Sequence, residues 1–147
     1  MRYFEDFAEG QVYDLGETTV TEEEILDFAR RYDPQSFHID RAAAKKSMYG
    51  GLIASGWHTG SLFMGLMVRG LLLDSTSLGS AGIDEMRWLK PVRPGDRLRA
   101  RLTITSTRPS SKRTDRGTVF TLGELFNQLE ECVFFVRSSG MFAQRPA

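Results

Sequence analysis

The stretch GWHTGSLFMGLMVRGLLL, residues 56–73, decides the fold predicted for this chain. Its apolar side chains occupy nearly all sides of a helix, and such a helix should be buried against other elements. A membrane span would need about 20 unbroken apolar residues, and His58 and Arg69 interrupt this run. Its glycines lower helix propensity, which indicates that another backbone approaches closely. The sequence therefore predicts a long buried helix at the centre of a folded domain.

Two shorter helices are predicted ahead of this long helix. Residues 21–24, TEEE, form a capping-box pattern, and apolar residues then recur at helical spacing. This helix should end at Asp33, because Pro34 disfavours the helical conformation in the residue before it. Asp40 is a suitable N-cap for a second helix that continues through Lys45.

The rest of the chain has the alternating apolar pattern of β-strands. Leu98, Ala100, Leu102 and Ile104 alternate with polar residues, so one face of their strand should meet the core. Short links between consecutive strands indicate antiparallel pairing. The predicted strands cover residues 11–20, 82–90, 97–105, 118–126 and 131–142, with a loose arm before the first and loops at 74–80 and 106–116. The chain is therefore predicted to be a single α+β domain over residues 1–147, in which an antiparallel sheet covers one buried helix.

The composition is that of an ordinary globular protein without an overall charge bias. The 19 basic and 19 acidic residues give a formal net charge of zero. Acidic residues concentrate in residues 1–40 and basic residues in 86–116, a pattern that fits a nucleic-acid surface, a phosphate-bearing ligand, or segments that face each other or solvent. The neutral total favours the last interpretation, so no nucleic-acid partner is expected. The single cysteine, Cys132, and the acidic N-terminus predict a reducing, cytoplasmic environment.

The segment YDPQSFHIDRAAAKKSMYGGLIASGW, residues 32–57, is the best candidate for chemistry. Asp33 stands five residues before His38, and Pro34 places the pair on a turn. A carboxylate can hold an imidazole in one tautomer and, with it, orient a water molecule for proton transfer. The spacing alone fits a turn aspartate and a structural histidine equally well. Gly56 follows at the expected start of the long helix, where the first backbone N–H groups have no intrahelical partner.

These residues resemble the active-site segment of a known family. The strings DPQSFHID, AAA and GGLIASGW, together with KPVRPGD at residues 90–96, are similar to the MaoC-like dehydratases, the (R)-specific enoyl-CoA hydratase group of hotdog-fold proteins. The resemblance implies a hotdog fold, an antiparallel sheet wrapped around a long central helix. It also implies a hydro-lyase that adds water reversibly to a trans-2-enoyl-CoA thioester and forms the (R)-3-hydroxyacyl-CoA.

The resemblance assigns a role to three residues. Asp33 and His38 would activate one water molecule, and the backbone N–H of Gly56 would hold the thioester carbonyl of the substrate. A donor at a helix N-terminus stabilises the charge that grows on that oxygen as an enolate forms. The family usually has Asn at the position of Gln35 and often a small polar residue at that of Met64, so the identity of the acyl group stays open.

No added cofactor is expected for this chemistry, and the sequence contains no phosphate loop, dinucleotide fingerprint or paired-cysteine metal site. His58 is expected to pack rather than react. Ser36 and Ser55 are not surrounded by a nucleophile elbow, so neither is a candidate nucleophile. Arginine suits the phosphates of coenzyme A, but no single basic residue between positions 87 and 101 is assigned to them.

Two other functions stay open beside the hydratase. A hotdog thioesterase would use Asp33 and His38 to hydrolyse the thioester, and a noncatalytic acyl-binding subunit would keep the fold without the pair. The five-residue spacing of Asp33 and His38 counts against a thioesterase. The presence of the pair counts against a noncatalytic subunit. Because one sheet folded over one helix leaves an edge unpaired, we expect a homodimer or a larger homo-oligomer.

Overall fold

The computed structural model describes residues 1–147, and its helices lie in the first half of the chain. Helix α1 spans Glu22–Tyr32, α2 spans Ser36–Ile39, α3 spans Arg41–Lys46 and α4 spans Gly56–Gly70, with 3₁₀ turns at Phe4–Asp6 and Leu72–Asp74. Thr21 Oγ1 accepts a hydrogen bond from Glu24 N at 3.2 Å, which confirms Thr21 as the cap of α1. Asp40 caps α3 by accepting from Ala42 N and Ala43 N.

Six strands form one antiparallel sheet; the antiparallel pairing is as predicted, and β2 is a strand in addition to the five that were predicted. They are β1 Val12–Thr19, β2 Ser77–Gly79, β3 Ile83–Trp88, β4 Arg97–Pro109, β5 Arg116–Phe126 and β6 Cys132–Ala143. The sheet order is β1-β4-β5-β6, and both β2 and β3 pair with the remaining edge of β6. The short links from β4 to β5 and from β5 to β6 make these strands a meander, because a short link joins antiparallel neighbours.

The core lies between α4 and the inner face of the sheet. Phe63 and Leu66 of α4 are buried against the alternating apolar residues of β4, which are Leu98, Ala100, Leu102 and Ile104. Gly123 of β5 makes room for the Phe63 ring, since a Cβ atom there would lie 2.2 Å from Phe63 Cζ. At Gly70 a Cβ atom would lie 2.9 Å from Leu15 O, so the close backbone approach predicted for this helix occurs where α4 meets β1.

The prediction that α4 is buried on nearly all sides is wrong. Trp57 is 61% exposed and Met64 is 48% exposed. A single sheet covers one face of a helix, so the opposite face of α4 stays at the surface. The helix also ends earlier than predicted, at Gly70, because Leu71 leaves the helical conformation with φ −146° and ψ −55°. No helix of the structure is long and apolar enough to cross a membrane.

Three segments predicted to be irregular are ordered parts of the fold. The N-terminal arm is not loose: Phe4 and Phe7 are buried, and Phe4 packs over Gly117 of β5, where a Cβ atom would lie 2.5 Å from its ring. The loop at residues 74–80 contains β2, whose pairing with β6 joins residues far apart in the sequence. The loop at residues 106–116 begins later than predicted, because β4 continues through a bulge after Ile104.

Candidate active site

Asp33 lies where α1 ends. Its backbone N–H closes the last turn on Ala29 O at 2.8 Å, and its φ of −154° and ψ of 68° lie outside the helical region. Pro34 disfavours the helical conformation at this position, so the end of α1 follows from the local sequence. The carboxylate of Asp33 is thereby placed beside the residues that begin α4, as its contact with Ser55 shows.

His38 lies on the one-turn helix α2 and not on an open turn as predicted. Its side chain is buried, with the residue 4% exposed, and its Nδ1 lies 2.7 Å from the carbonyl oxygen of Ile53. A carbonyl oxygen can only accept a hydrogen bond, so Nδ1 carries the ring proton. The other ring nitrogen, Nε2, therefore has a free lone pair when the ring is neutral.

The structure brings Asp33 and His38 together, as the sequence predicts. His38 Nε2 lies 3.3 Å from Asp33 Oδ2. When the ring is neutral both atoms are acceptors, so neither can satisfy the other. A water molecule that donates one hydrogen to each atom would satisfy both. The pair is thus suited to hold one water between a base and an anion.

Two hydrogen bonds hold the Asp33 carboxylate in place. Ser55 is fully buried, and its Oγ donates to Asp33 Oδ2 at 2.7 Å. Gln35 Nε2 donates to Asp33 Oδ1 at 2.7 Å. Burial of Asp33 acts to raise the pKa of its carboxyl, but the bonds from Gln35 and Ser55 and the attraction of His38 outweigh it, so the pKa is lower than usual. Asp33 is therefore ionised near neutral pH.

The first backbone N–H of α4 is free for a ligand. Gly56 begins the helix, and its N–H donates to no other group of the protein. The Trp88 ring lies against the α-carbon of Gly56, where a Cβ atom would be 2.6 Å from Trp88 Cε2, and Trp88 Nε1 donates to Gly56 O at 2.7 Å. Glycine is thus the residue that fits under this ring. The free N–H stands at the positive end of the helix dipole, where negative charge is stabilised.

One cavity of about 400 Å³, called the site cavity below, is lined by all three residues of the predicted site. Trp88, the last residue of β3, and Lys90, which follows that strand, also line this cavity. The residues that carry a base, an anion and an unpaired backbone donor therefore line the same cavity. Such a set can activate water next to a carbonyl oxygen that takes up negative charge.

Two other residues considered in the sequence, His58 and Lys90, have partners of their own. His58 stacks on Phe28 of α1, with ring centroids 4.9 Å apart, and it does not line the site cavity, in agreement with the packing role predicted. Of the basic residues considered for phosphate, Lys90 lines the site cavity and pairs with Glu131. No group of three or more His, Cys, Asp or Glu side chains is arranged to hold a metal ion.

Comparison with known proteins identifies the family of this chain. A family model described as the MaoC-like domain matches residues 6–122. The chain belongs to the MaoC-like dehydratase family. The match covers both Asp33 and His38 and the start of α4.

Individual relatives of this MaoC-like chain are similar over most of its length. It is 30% identical to the uncharacterized protein YdeM of Bacillus subtilis over 130 residues, which are 88% of this chain and 91% of YdeM. The crystal structure of a MaoC-like dehydratase from Rhodospirillum rubrum has 38% identity and a TM-score of 0.93, and the match covers 100% of both chains. An (R)-hydratase from A. caviae, involved in PHA biosynthesis, has 24% identity and a TM-score of 0.69. The match covers 95% of this chain and 98% of the hydratase chain, and it shows the shared fold alone. The hotdog fold is thereby confirmed.

The sequence interpretation missed Ser55 and the part that Gln35 has in holding Asp33. A serine directly before a helix is expected to cap that helix. In the MaoC-like structure the Ser55 side chain makes no capping bond and turns to Asp33 instead. Gln35 is noticed in the sequence only as a departure from the family pattern. The contact of Ser55 with Asp33 has no local signal, because it joins residues 22 positions apart and depends on how α1 and α4 pack. Gln35 lies only two residues from Asp33, so its contact is a local one.

We predict that Ser55→Ala raises the pKa of Asp33, because the Ser55 hydroxyl donates a hydrogen bond that favours the ionised carboxylate. The ¹³C shift of the Asp33 carboxyl, assigned with Asp33→Asn, measures this. A carboxyl whose pKa is lowered by folding stabilises the folded state above its unfolded pKa of about 3.9. The variant should therefore also unfold more easily at neutral pH, and this difference should shrink as the pH falls below that value.

Ser36→Ala serves as the control for this substitution. Ser36 stands close to Asp33 in the sequence, but its side chain makes no hydrogen bond to the carboxylate. The control should leave the Asp33 pKa unchanged. An unchanged pKa in Ser55→Ala as well would contradict the role given to this hydroxyl.

Proposed function

We propose that this protein is a hydratase that adds water reversibly to a trans-2-enoyl-CoA thioester and forms the (R)-3-hydroxyacyl-CoA. The observation that carries the proposal is the convergence of Asp33, His38 and the free N–H of Gly56 on one cavity. Membership of the MaoC-like dehydratase family and similarity to the MaoC-like dehydratase from Rhodospirillum rubrum support the same reaction class.

In the proposed reaction, His38 Nε2 removes a proton from a water molecule that Asp33 Oδ2 orients through its other hydrogen. The hydroxyl oxygen forms a bond to C3 of the enoyl group, and the π electrons move toward the thioester carbonyl. Gly56 N–H stabilises the resulting oxyanion, since an oriented donor needs no reorganisation as charge develops. The protonated His38 then returns the proton to C2. Both the hydroxyl and the hydrogen added thus come from one water molecule.

Incubation of the purified protein with crotonyl-CoA and longer trans-2-enoyl-CoA thioesters tests this function. We expect loss of the enoyl absorbance, formation of 3-hydroxyacyl-CoA, and free thiol at background level. The product should be a single enantiomer, because the fixed positions of Asp33, His38 and Gly56 present one face of the alkene to the water, and the resemblance to (R)-specific hydratases implies the (R) form. Thiol release that matches substrate loss would identify a thioesterase, and a racemic product would exclude the proposed arrangement.

Asp33→Asn and His38→Ala should each lower kcat by about a hundredfold to ten-thousandfold, the range that general acid–base groups contribute. Because both groups act on one water molecule, the double variant should be little slower than either single variant. Steady-state kinetics on one enoyl-CoA measures this, with circular dichroism to confirm folding. Losses that multiply in the double variant would show that the two residues act independently.

The role of Gly56 is tested by comparing Gly56→Pro with Gly56→Ala. Both variants place a Cβ atom against the Trp88 ring, but only proline removes the backbone N–H. Proline is tolerated at the first position of a helix, so α4 should persist. We expect Gly56→Pro to be slower than Gly56→Ala by about a hundredfold to a thousandfold, the cost of one oxyanion donor. Equal rates in the two variants would remove Gly56 from the mechanism.

We also propose that two copies of the chain associate through β3. This strand pairs with β6 on one side and has no partner on the other. The first and last residues of β3, Ile83 and Trp88, are large, apolar and exposed, as are Trp57 and Met64 of α4. Unpaired strand edges and exposed apolar surface favour association. Sedimentation at micromolar concentration should give twice the chain mass of 16.6 kDa, and a strict monomer would rule this proposal out.

A further inference from the structure

A second cavity, called the apolar cavity below, lies between α4 and the inner face of the sheet. Its volume is about 380 Å³, and Trp57 lines both this cavity and the site cavity. Most of its lining is hydrophobic, and it includes Phe63 and Met67 of α4. If the thioester is held at Gly56 as proposed, the acyl chain can extend past Trp57 into this space. The inference that follows rests on the proposed function in this respect.

Among the hydroxyl-bearing residues that line the apolar cavity, Thr121 and Ser138 lie next to each other on the sheet. Thr121 of β5 and Ser138 of β6 are paired across the two strands, and the same row continues to Ile104 on β4 and Ile83 on β3. All four residues line the apolar cavity. Thr121 is 7% exposed and its position faces the core, so its hydroxyl is removed from bulk water. A buried hydroxyl in a mostly hydrophobic lining needs a partner.

The hydrogen bonds that these hydroxyls make within the protein are long. Thr121 Oγ1 lies 3.4 Å from Ser138 Oγ and 3.5 Å from Ser138 O. Hydroxyl hydrogen bonds are usually about 2.7–2.8 Å long. Neither hydroxyl has any other protein partner. Each therefore has donor or acceptor capacity left for whatever occupies the cavity.

We propose that Thr121 and Ser138 select an acyl chain that carries a neutral oxygen, such as a hydroxyl or keto group, over a plain alkyl chain. An alkyl chain would displace water from the two hydroxyls and leave them without good partners, which weakens binding. An oxygen on the chain replaces that water. A carboxylate is disfavoured, because none of the residues that line the cavity carries a positive charge to balance it.

The comparison of plain and hydroxylated chains of equal length tests the proposal. trans-2-Octenoyl-CoA is assayed beside derivatives with one hydroxyl on each carbon from the fifth outward. We expect kcat/KM for at least one derivative to exceed that for the plain chain by about tenfold, the effect of one buried hydroxyl satisfied or not. No preference at any position would overturn the proposal.

Thr121→Val and Ser138→Ala remove the hydroxyls with little change of shape, alone and together. The double variant should reduce the preference to about one, mainly through improved use of the plain chain. Thr118→Val makes the same change on β5 at a position that alternates away from the core and does not line the cavity, so it should keep the preference. A double variant with the preference of the unmodified protein would also overturn the proposal.

Calorimetric binding of the saturated counterparts separates this inference from the proposed reaction. Octanoyl-CoA and its hydroxylated derivatives have no double bond to hydrate, so their affinities do not depend on turnover. Tighter binding of a hydroxylated chain, lost in the double variant, would support the inference even if enoyl-CoA is not hydrated. Hydration of enoyl-CoA with equal binding of all chains would instead keep the reaction and reject the selectivity.

Discussion

The hydrogen bond from Ala54 N to Val92 O, 2.8 Å long, anchors the segment on which the candidate site depends. Residues 53–56 contribute to every part of that site. Ile53 O holds His38 Nδ1, the Ser55 hydroxyl holds Asp33, and Gly56 presents its free N–H. Because these groups follow one another in one short segment of backbone, that segment fixes the positions of the base, the anion and the donor relative to each other.

The contact between Gly56 and Trp88 explains why α4 begins as it does. The indole ring lies where any side chain at position 56 would be, and its N–H binds Gly56 O. Trp57 follows directly and remains largely exposed, in edge contact with Trp88 at a centroid distance of 5.8 Å. The start of the helix thus has a ring packed against it, while its first N–H has no partner in the protein and Gly56 lines the site cavity.

Helix α4 meets two different environments along its length. At the N-terminus of the helix the site cavity contains ionisable groups and a free donor, where the helix dipole favours negative charge. Along the middle of the helix the apolar cavity faces the inner side of the sheet. A substrate with a polar, reactive thioester and a less polar chain matches both environments, which supports the direction proposed for the acyl group.

The sequence by itself determined most of the helices and strands of this protein and the residue types of its candidate site. The cap at Thr21, the end of α1 before Pro34 and the alternation of β4 are local, because each depends on a few neighbouring residues. The motifs around Asp33, His38 and Gly56 are also contiguous strings.

Only the tertiary structure decided that Ser55 binds Asp33, that Trp88 covers Gly56 and that α4 is buried on one face. Those contacts join residues 22 and 32 positions apart, and the burial of a helix depends on how much sheet is present to cover it. Contacts between residues so far apart in the sequence have no local pattern, so only the packing of the folded chain decides them.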